Sequence, residues 1–228
     1  AMCFDVSAAC SGFITALDIA ASMLKAGSYK YALVIGSEKM SEIVNWKDRS
    51  VCVLFGDGAG AVVLKAVDNN TEDDTGVSVG HERGIIDSNI YNDGTGASVL
   101  TGGRRFSDSC STDIFIHMDG QEVFKFAVKS VPTAIETLLH NNNMDVNDVD
   151  KFILHQANVR IIESVAKRLK ADKDKFPVNL NEYGNTSSAS IPILLDELNR
   201  NGSLKQEEKL VLAGFGAGLS WGSILLVW

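Results

Sequence analysis

Apolar residues along this chain follow two rhythms. In residues 13–26, Leu17, Ala20, Ala21 and Leu24 recur at three- and four-residue spacing, which predicts a helix with Gly27 as its C-cap. The same spacing returns in residues 121–140, through Phe124, Ala127, Val131, Ala134, Ile135 and Leu138. It appears again at Ile162, Val165, Ala166 and Leu169, and at Ile191, Leu194, Leu195 and Leu198, with Gly202 past the end. Elsewhere the apolar residues run without a break. Residues 31–35, 61–64, 152–154, 210–213 and 224–227 predict strands buried on both faces, and residues 2–6 and 51–55 are shorter segments of the same kind. Strands alternating with helices predict an α/β fold, its sheets covered by helices.

A weak internal repeat organises these elements. The unit running from Cys10 through a helix, YALVIGS and GDGAGAVVL resembles the unit running from Asn185 through a helix, KLVLAGFG and AGLSWGSILLVW. This predicts two duplicated α/β halves, residues 1–113 and 114–228. Residues 68–113, with NNTEDDT and NDGTG, predict a loop insertion carrying short strands. The first ten residues lack the basic start of a signal peptide and read as an element entered in mid-strand. The expectation is an N-terminal half that is incomplete in this chain.

Composition narrows the function classes. With 45 % hydrophobic and 22 % charged residues over 228 positions, the chain has an ordinary globular profile. A net charge of −8 argues against the broad basic face that nucleic acid or a membrane surface requires. No apolar run approaches the roughly 20 residues of a membrane span, and the expected location is cytoplasmic. Of the four cysteines, Cys3, Cys10, Cys52 and Cys110, none stands at CxxC spacing or near a histidine in a zinc pattern, so no metal site is expected.

Four places carry chemistry. Cys10 lies among Ser7, Ala8, Ala9, Ser11 and Gly12 at the start of an apolar helix. Unpaired N–H groups and the positive end of the helix dipole favour a thiolate there, and small neighbours admit a substrate. A packed structural cysteine fits the same position. His155, in LHQAN, ends a strand and precedes a helix, where active sites of open α/β sheets gather; capping the next helix is the plainer role. Asn185, in YGNTSSAS, is either an N-cap or part of a site that needs many small residues. GFGAGLSWG offers alternating glycines that can aim backbone N–H groups at an oxyanion. It is not a phosphate loop, because no Lys-Ser or Lys-Thr follows.

Taken in order, SAACSG, HQAN, GNTSSAS and GAGLSWG resemble the ketoacyl-ACP synthase III family of the thiolase superfamily, and the resemblance extends to Asp48-Arg49, FGDGAG and GQEVFK. It implies a thiolase-like fold and a two-step Claisen condensation with no cofactor. Cys10 would take an acyl group from an acyl-CoA primer. Malonyl-acyl carrier protein would then lose CO₂, and its carbanion would attack the acyl-Cys10 thioester. The resemblance assigns His155 and Asn185 to the enolate oxygen, and the backbone N–H groups of Cys10 and Ala217 to the oxyanion hole. The family often has glycine at Ala217, but a backbone contact tolerates alanine. It also implies that Arg49, Met118, Gly120, Phe124 and Asn158 line the CoA and pantetheine tunnel. Lys125, Arg160, Lys167 and Arg168 would dock the acidic carrier protein, and the chain would form a homodimer. A related thiolase-fold acyltransferase or thioesterase, or an inactive truncated paralogue that binds a partner, would carry the same fold.

Overall fold

The computed structural model describes residues 1–67, 83–102 and 114–228. Helix α1 (Gly12–Lys25) leads to strands β1 (Tyr31–Glu38) and β2 (Gly58–Lys65). After β3 (Gly84–Asn92) come the short strands β4 (Leu100–Thr101) and β5 (His117–Met118), then helix α2 (Gly120–Asn141). The chain closes with β6 (Lys151–Leu154), α3 (Val159–Leu169), α4 (Leu180–Tyr183), α5 (Ser190–Arg200), β7 (Lys209–Gly216) and β8 (Ser220–Val227). Of the expected loop insertion, residues 68–82, which hold NNTEDDT, and 103–113, which hold Cys110, lie outside the described residues.

Two sheets sandwich a layer of helices. β1 and β2 form an antiparallel pair, while β3, β8, β7 and β6 form a four-stranded sheet in that order, with β6 and β7 parallel. Between the sheets lie α1 and α5. Their Phe13, Ile14, Leu17, Ile191, Leu194 and Leu195 pack against Val34 of β1 and against Ile153, Leu212 and Ile224 of the larger sheet. On the far side of that sheet, α2 and α3 bury Val131, Ile135, Ile162 and Val165 against Phe152, Val211 and Leu225. This explains the unbroken apolar runs of β7 and β8, which are covered on both faces. Among the described residues the β1–β2 pair is covered on one face only, in contrast to the two-faced burial that its apolar runs predict. Tyr31, Leu33, Ile35 and Val63 on its other face are each more than half exposed.

The repeat is visible in the backbone. A 3₁₀ turn at Ala9–Ser11 enters α1, and another at Ser187–Ala189 enters α5. Each begins on a residue with a left-handed backbone, Ala9 at φ 47° and Ser187 at φ 51°, a conformation that strains any residue with a Cβ. The turns are exchanged between the halves. The first packs on the end of β7 and the second on the end of β1. Glycine makes both contacts close. A Cβ on Gly36 of β1 would lie 2.9 Å from the Ser188 carbonyl oxygen, and one on Gly216 of β7 would lie 2.8 Å from the Cys10 nitrogen.

Three further features differ from the sequence reading. Residues 2–6 form no strand; among the described residues no strand pairs with them in a ladder. Residues 51–55 make turns, and Phe55 is joined to Asn185 by a single parallel bridge. β3, drawn from the range of the first half, pairs with β8 and so extends the sheet of the second. The GDGAG cluster serves packing rather than a ligand: a Cβ on Gly60 would lie 2.9 Å from the Ile193 nitrogen of α5. At Gly56 a Cβ would come within 2.0 Å of the Tyr183 carbonyl oxygen. Gly56→Ala is therefore expected to destabilise the chain by at least the ~1–3 kcal/mol of ordinary overpacking, read as a lower urea midpoint.

Candidate active site

Three elements distant in sequence place their ends around one cavity of about 170 Å³. Cys10 comes from the first 3₁₀ turn, His155 follows β6, and Asn185 precedes the second turn; all three line the cavity, with Phe215 near the end of β7 and Ala217 from the β7–β8 connection. The remaining wall is largely apolar, including Met40, Phe55, Ile116 and Met118.

Each polar group is held by the backbone nearby. The Ser187 N–H donates to the Asn185 side-chain oxygen at 2.9 Å. That commits the oxygen and turns the amide N–H₂, a pure donor, away from it. The Asn185 backbone N–H donates to the Leu54 carbonyl at 2.8 Å, and its carbonyl accepts from the Gly56 N–H at 3.0 Å, so the residue is pinned from both sides. Asn185 is thus not an N-cap in the ordinary sense; its side chain closes the approach to a 3₁₀ turn. The His155 backbone N–H donates to the Ala213 carbonyl at 2.8 Å, continuing the β6–β7 ladder. The ring packs edge-on against Phe215, with centroids 5.2 Å apart, and its Nδ1 lies 2.7 Å from Ser190 Oγ. His155 does not cap α3. Asn158 does, its side chain accepting from the Arg160 N–H at 2.9 Å.

Electrostatics depart from the expectation of a lowered thiol pKa. Burial pushes the Cys10 thiol up to about 11, although part of the residue still faces the cavity. A hydrogen bond with the Ser187 side chain pulls the other way, and the Glu38 carboxylate on the cavity wall adds to the rise. Burial also depresses His155 to about 3. At neutral pH the site therefore holds a thiol and a neutral imidazole, not an ion pair. The rise has its largest cause in burial within a mostly apolar cavity, where losing water disfavours the thiolate by more than the hydrogen bonds to it return.

These shifts set a stability window. Between about 3 and 6.5 the unfolded chain binds the His155 proton and the folded chain does not, so stability falls as pH drops through that range. Between 9.0 and about 11 the folded chain keeps the Cys10 proton and the unfolded chain loses it, so stability falls as pH rises. Each group contributes a slope of up to about 1.4 kcal/mol per pH unit. Urea midpoints across pH are expected to show the plateau between these limbs, and Cys10→Ser is expected to flatten the alkaline one.

Sequence reasoning overlooks Glu38 and Ser187, which both line the cavity, and the left-handed Ala9 that presents Cys10. Only the density of small residues in YGNTSSAS hinted at Ser187. Gly216 has a further role. Because its missing Cβ would also fall 3.1 Å from the Cys10 Cβ, Gly216→Ala is expected to displace the thiol. Thiol alkylation kinetics and activity would both change, since about 1 Å of misplacement can cost on the order of 10²-fold in rate.

The other expected residues are more scattered. Met118 lines the main cavity and, with Gly120, a shallower polar hollow beside it. Arg49, Phe124 and Asn158 lie outside both linings. Arg160, Lys167 and Arg168 are exposed on α3, and Arg168 reaches the Val128 carbonyl of α2 at 3.3 Å. Lys125, also on α2, is exposed and paired with Glu122 at 2.6 Å.

Comparisons with known proteins agree with this arrangement. Residues 4–94 match the family profile described as 3-oxoacyl-[acyl-carrier-protein (ACP)] synthase III, and residues 139–228 match that described as its C terminal. A beta-ketoacyl-[acyl-carrier-protein] synthase III of Clostridium acetobutylicum is 45 % identical over 234 residues, covering all of this chain and 68 % of the relative. The crystal structure of 3-oxoacyl-[acyl-carrier-protein] synthase III from Aquifex aeolicus superposes with a TM-score of 0.87 at 44 % identity, over 99 % of this chain and 67 % of that one. The corresponding Pseudomonas aeruginosa structure gives 0.88 at 36 % identity, over 100 % and 67 %.

Proposed function

This chain belongs to the 3-oxoacyl-[acyl-carrier-protein] synthase III family, and from that premise we propose how its residues carry the reaction. The activity is that of a condensing acyltransferase on a thiolase-like fold. An acyl-CoA primer is joined to malonyl-acyl carrier protein with loss of CO₂, giving a 3-ketoacyl-acyl carrier protein and opening fatty acid biosynthesis. The observation that carries the residue assignments is convergence: Cys10, His155 and Asn185 meet on one cavity from three separate elements.

The Cys10 sulfur attacks the primer thioester and CoA leaves as a thiol. The backbone N–H groups of Cys10 and Ala217 hold the negative oxygen of the tetrahedral intermediate. Malonyl-acyl carrier protein then enters. Its carboxylate departs as CO₂, and the electron pair left behind forms an enolate. Asn185 and His155 donate hydrogen bonds to the enolate oxygen, which the committed amide oxygen of Asn185 favours. The enolate carbon attacks the acyl-Cys10 thioester and expels the thiolate. Every bond is accounted for by substrates and side chains, so the scheme calls for no cofactor.

Around this centre, Met118 borders the acyl group, and Arg49, Gly120, Phe124 and Asn158 flank the CoA and pantetheine approach. Arg160, Lys167 and Arg168 on α3, with Lys125 on the adjoining α2, form the docking face for the acidic carrier protein. The reading includes a homodimer in the cytoplasm; among the described residues no helix is long and apolar enough to cross a membrane. Product analysis tests the proposal. With acyl-CoA and malonyl-acyl carrier protein, the expected products are 3-ketoacyl-acyl carrier protein and CO₂. Free acid or a simple ester would show an acyltransferase or thioesterase, and no turnover by folded chain would show a binding protein.

A further inference from the structure

Ser190, the first residue of α5, has no part in the reaction as written, yet it is the hydrogen-bond partner of His155. Both are buried, at 2 % and 1 % exposure. The Gln156 backbone N–H donates to Ser190 Oγ at 3.2 Å, which occupies one lone pair of the hydroxyl. One lone pair and one proton remain for two neighbours, His155 Nδ1 at 2.7 Å and the Ser187 carbonyl at 3.0 Å. There are two satisfied arrangements. In the first, the hydroxyl donates to the carbonyl and accepts from Nδ1–H, leaving Nε2 as a lone pair for the cavity that His155 lines. In the second, the hydroxyl donates to Nδ1, and Nε2 carries the proton. The carbonyl is not orphaned by the change, because it also receives the Ser190 backbone N–H.

The two half-reactions ask for opposite faces of the ring. A buried thiol must lose its proton as it attacks, which calls for an acceptor. An enolate oxygen calls for a donor. A carbonyl or carboxylate in place of Ser190 would lock the proton on Nδ1, and an N–H would lock it on Nε2; a hydroxyl serves both. We propose that Ser190 is a positioning residue that lets His155 hold its single ring proton on Nδ1 while Cys10 is acylated and on Nε2 while the malonyl group loses CO₂.

The inference rests on the reaction given above, and its steps balance. As the Cys10 sulfur bonds to the acyl carbon, its proton passes to Nε2. The CoA sulfur leaves with the electron pair of its broken bond and takes that proton, so CoA departs as a thiol and the ring is again neutral. Between substrates the ring gives up its Nδ1 proton and gains one on Nε2 by exchange with water, and the Ser190 hydroxyl rotates to donate to Nδ1. In the second half Nε2–H donates a hydrogen bond without giving up its proton. The Cys10 thiolate expelled at the end takes a proton from solvent. Because burial holds the ring near 3, it is neutral at rest and after each half-reaction, and the tautomer is what differs between them.

Nitrogen NMR of histidine-labelled chain, with the His155 signals assigned by a His155→Asn variant, tests this. The expected result is a proton on Nδ1 in the resting chain and on Nε2 after acetylation of Cys10 and addition of a malonyl-thioester analogue that cannot decarboxylate. Ser190→Ala is expected to erase the resting preference and to slow acyl transfer and decarboxylation each by on the order of 10–100-fold. Its urea midpoint separates this from lost folding. The same nitrogen protonated in both states, or a Ser190→Ala chain unchanged in spectrum and rates, would overturn the proposal. A chain that neither accepts acetyl nor decarboxylates would sink the reaction instead, and the resting spectra of the two chains would still decide whether Ser190 sets the tautomer.

Discussion

Cys10→Ala is expected to lower condensation by on the order of 10⁴-fold or more while leaving the fold intact. The size of the loss follows from the role: without the sulfur there is no covalent intermediate, and neither half-reaction can hand an acyl group to the other. The fold should survive because Cys10 lies on a cavity wall rather than in either main core cluster. Removing the thiol also removes a buried group that resists ionisation. Condensation rates and urea midpoints measured side by side check both halves of this expectation. A variant that still condenses at a tenth of the original rate would place the nucleophile elsewhere.

Asn185→Ala should divide the reaction. The amide lines the same cavity as Cys10, and its oxygen is committed to the Ser187 N–H. In the proposed assignment its N–H₂ serves the enolate, not the attacking sulfur. Decarboxylation of malonyl-acyl carrier protein is expected to fall by about 10²–10³-fold, the usual cost of one lost oxyanion donor. Acetylation of Cys10 by acetyl-CoA should change by less than about tenfold. Ser187 needs care in reading the result, because its N–H loses a partner in the variant, a cost of ~1–3 kcal/mol. Asn185→Asp, which keeps the acceptor but replaces the donor, controls for that loss. Equal loss in both half-reactions would contradict the assignment.

Much of this was legible in the chain itself, and the physical reasons are particular. Helices α1, α2, α3 and α5 bury one side each, so their spacing declares them. β7 and β8 are covered on both faces and show as unbroken apolar runs. The duplication was readable because both halves need the same order of small turn, helix, strand and glycine. What stayed hidden depends on contacts between distant residues. Nothing local says that β3 will pair with β8, or that the two 3₁₀ turns will cross to opposite sheets. The thiol pKa is hidden for the same reason. A helix start suggests a lowered value, and only the cavity formed by Phe215, His155 and their neighbours reverses it. In the sequence Ser190 is one of a run of small residues, and its bond to a histidine 35 residues earlier appears only in three dimensions.

The central claim is that Cys10 accepts the acyl group within the cavity built by this chain. Intact-mass measurement after incubation with acetyl-CoA, with Cys10→Ser in parallel, tests it most directly. A single acetyl adduct on the original chain and none on the variant is the expected result. An adduct that persists in Cys10→Ser, or no adduct on chain shown to be folded, would contradict it.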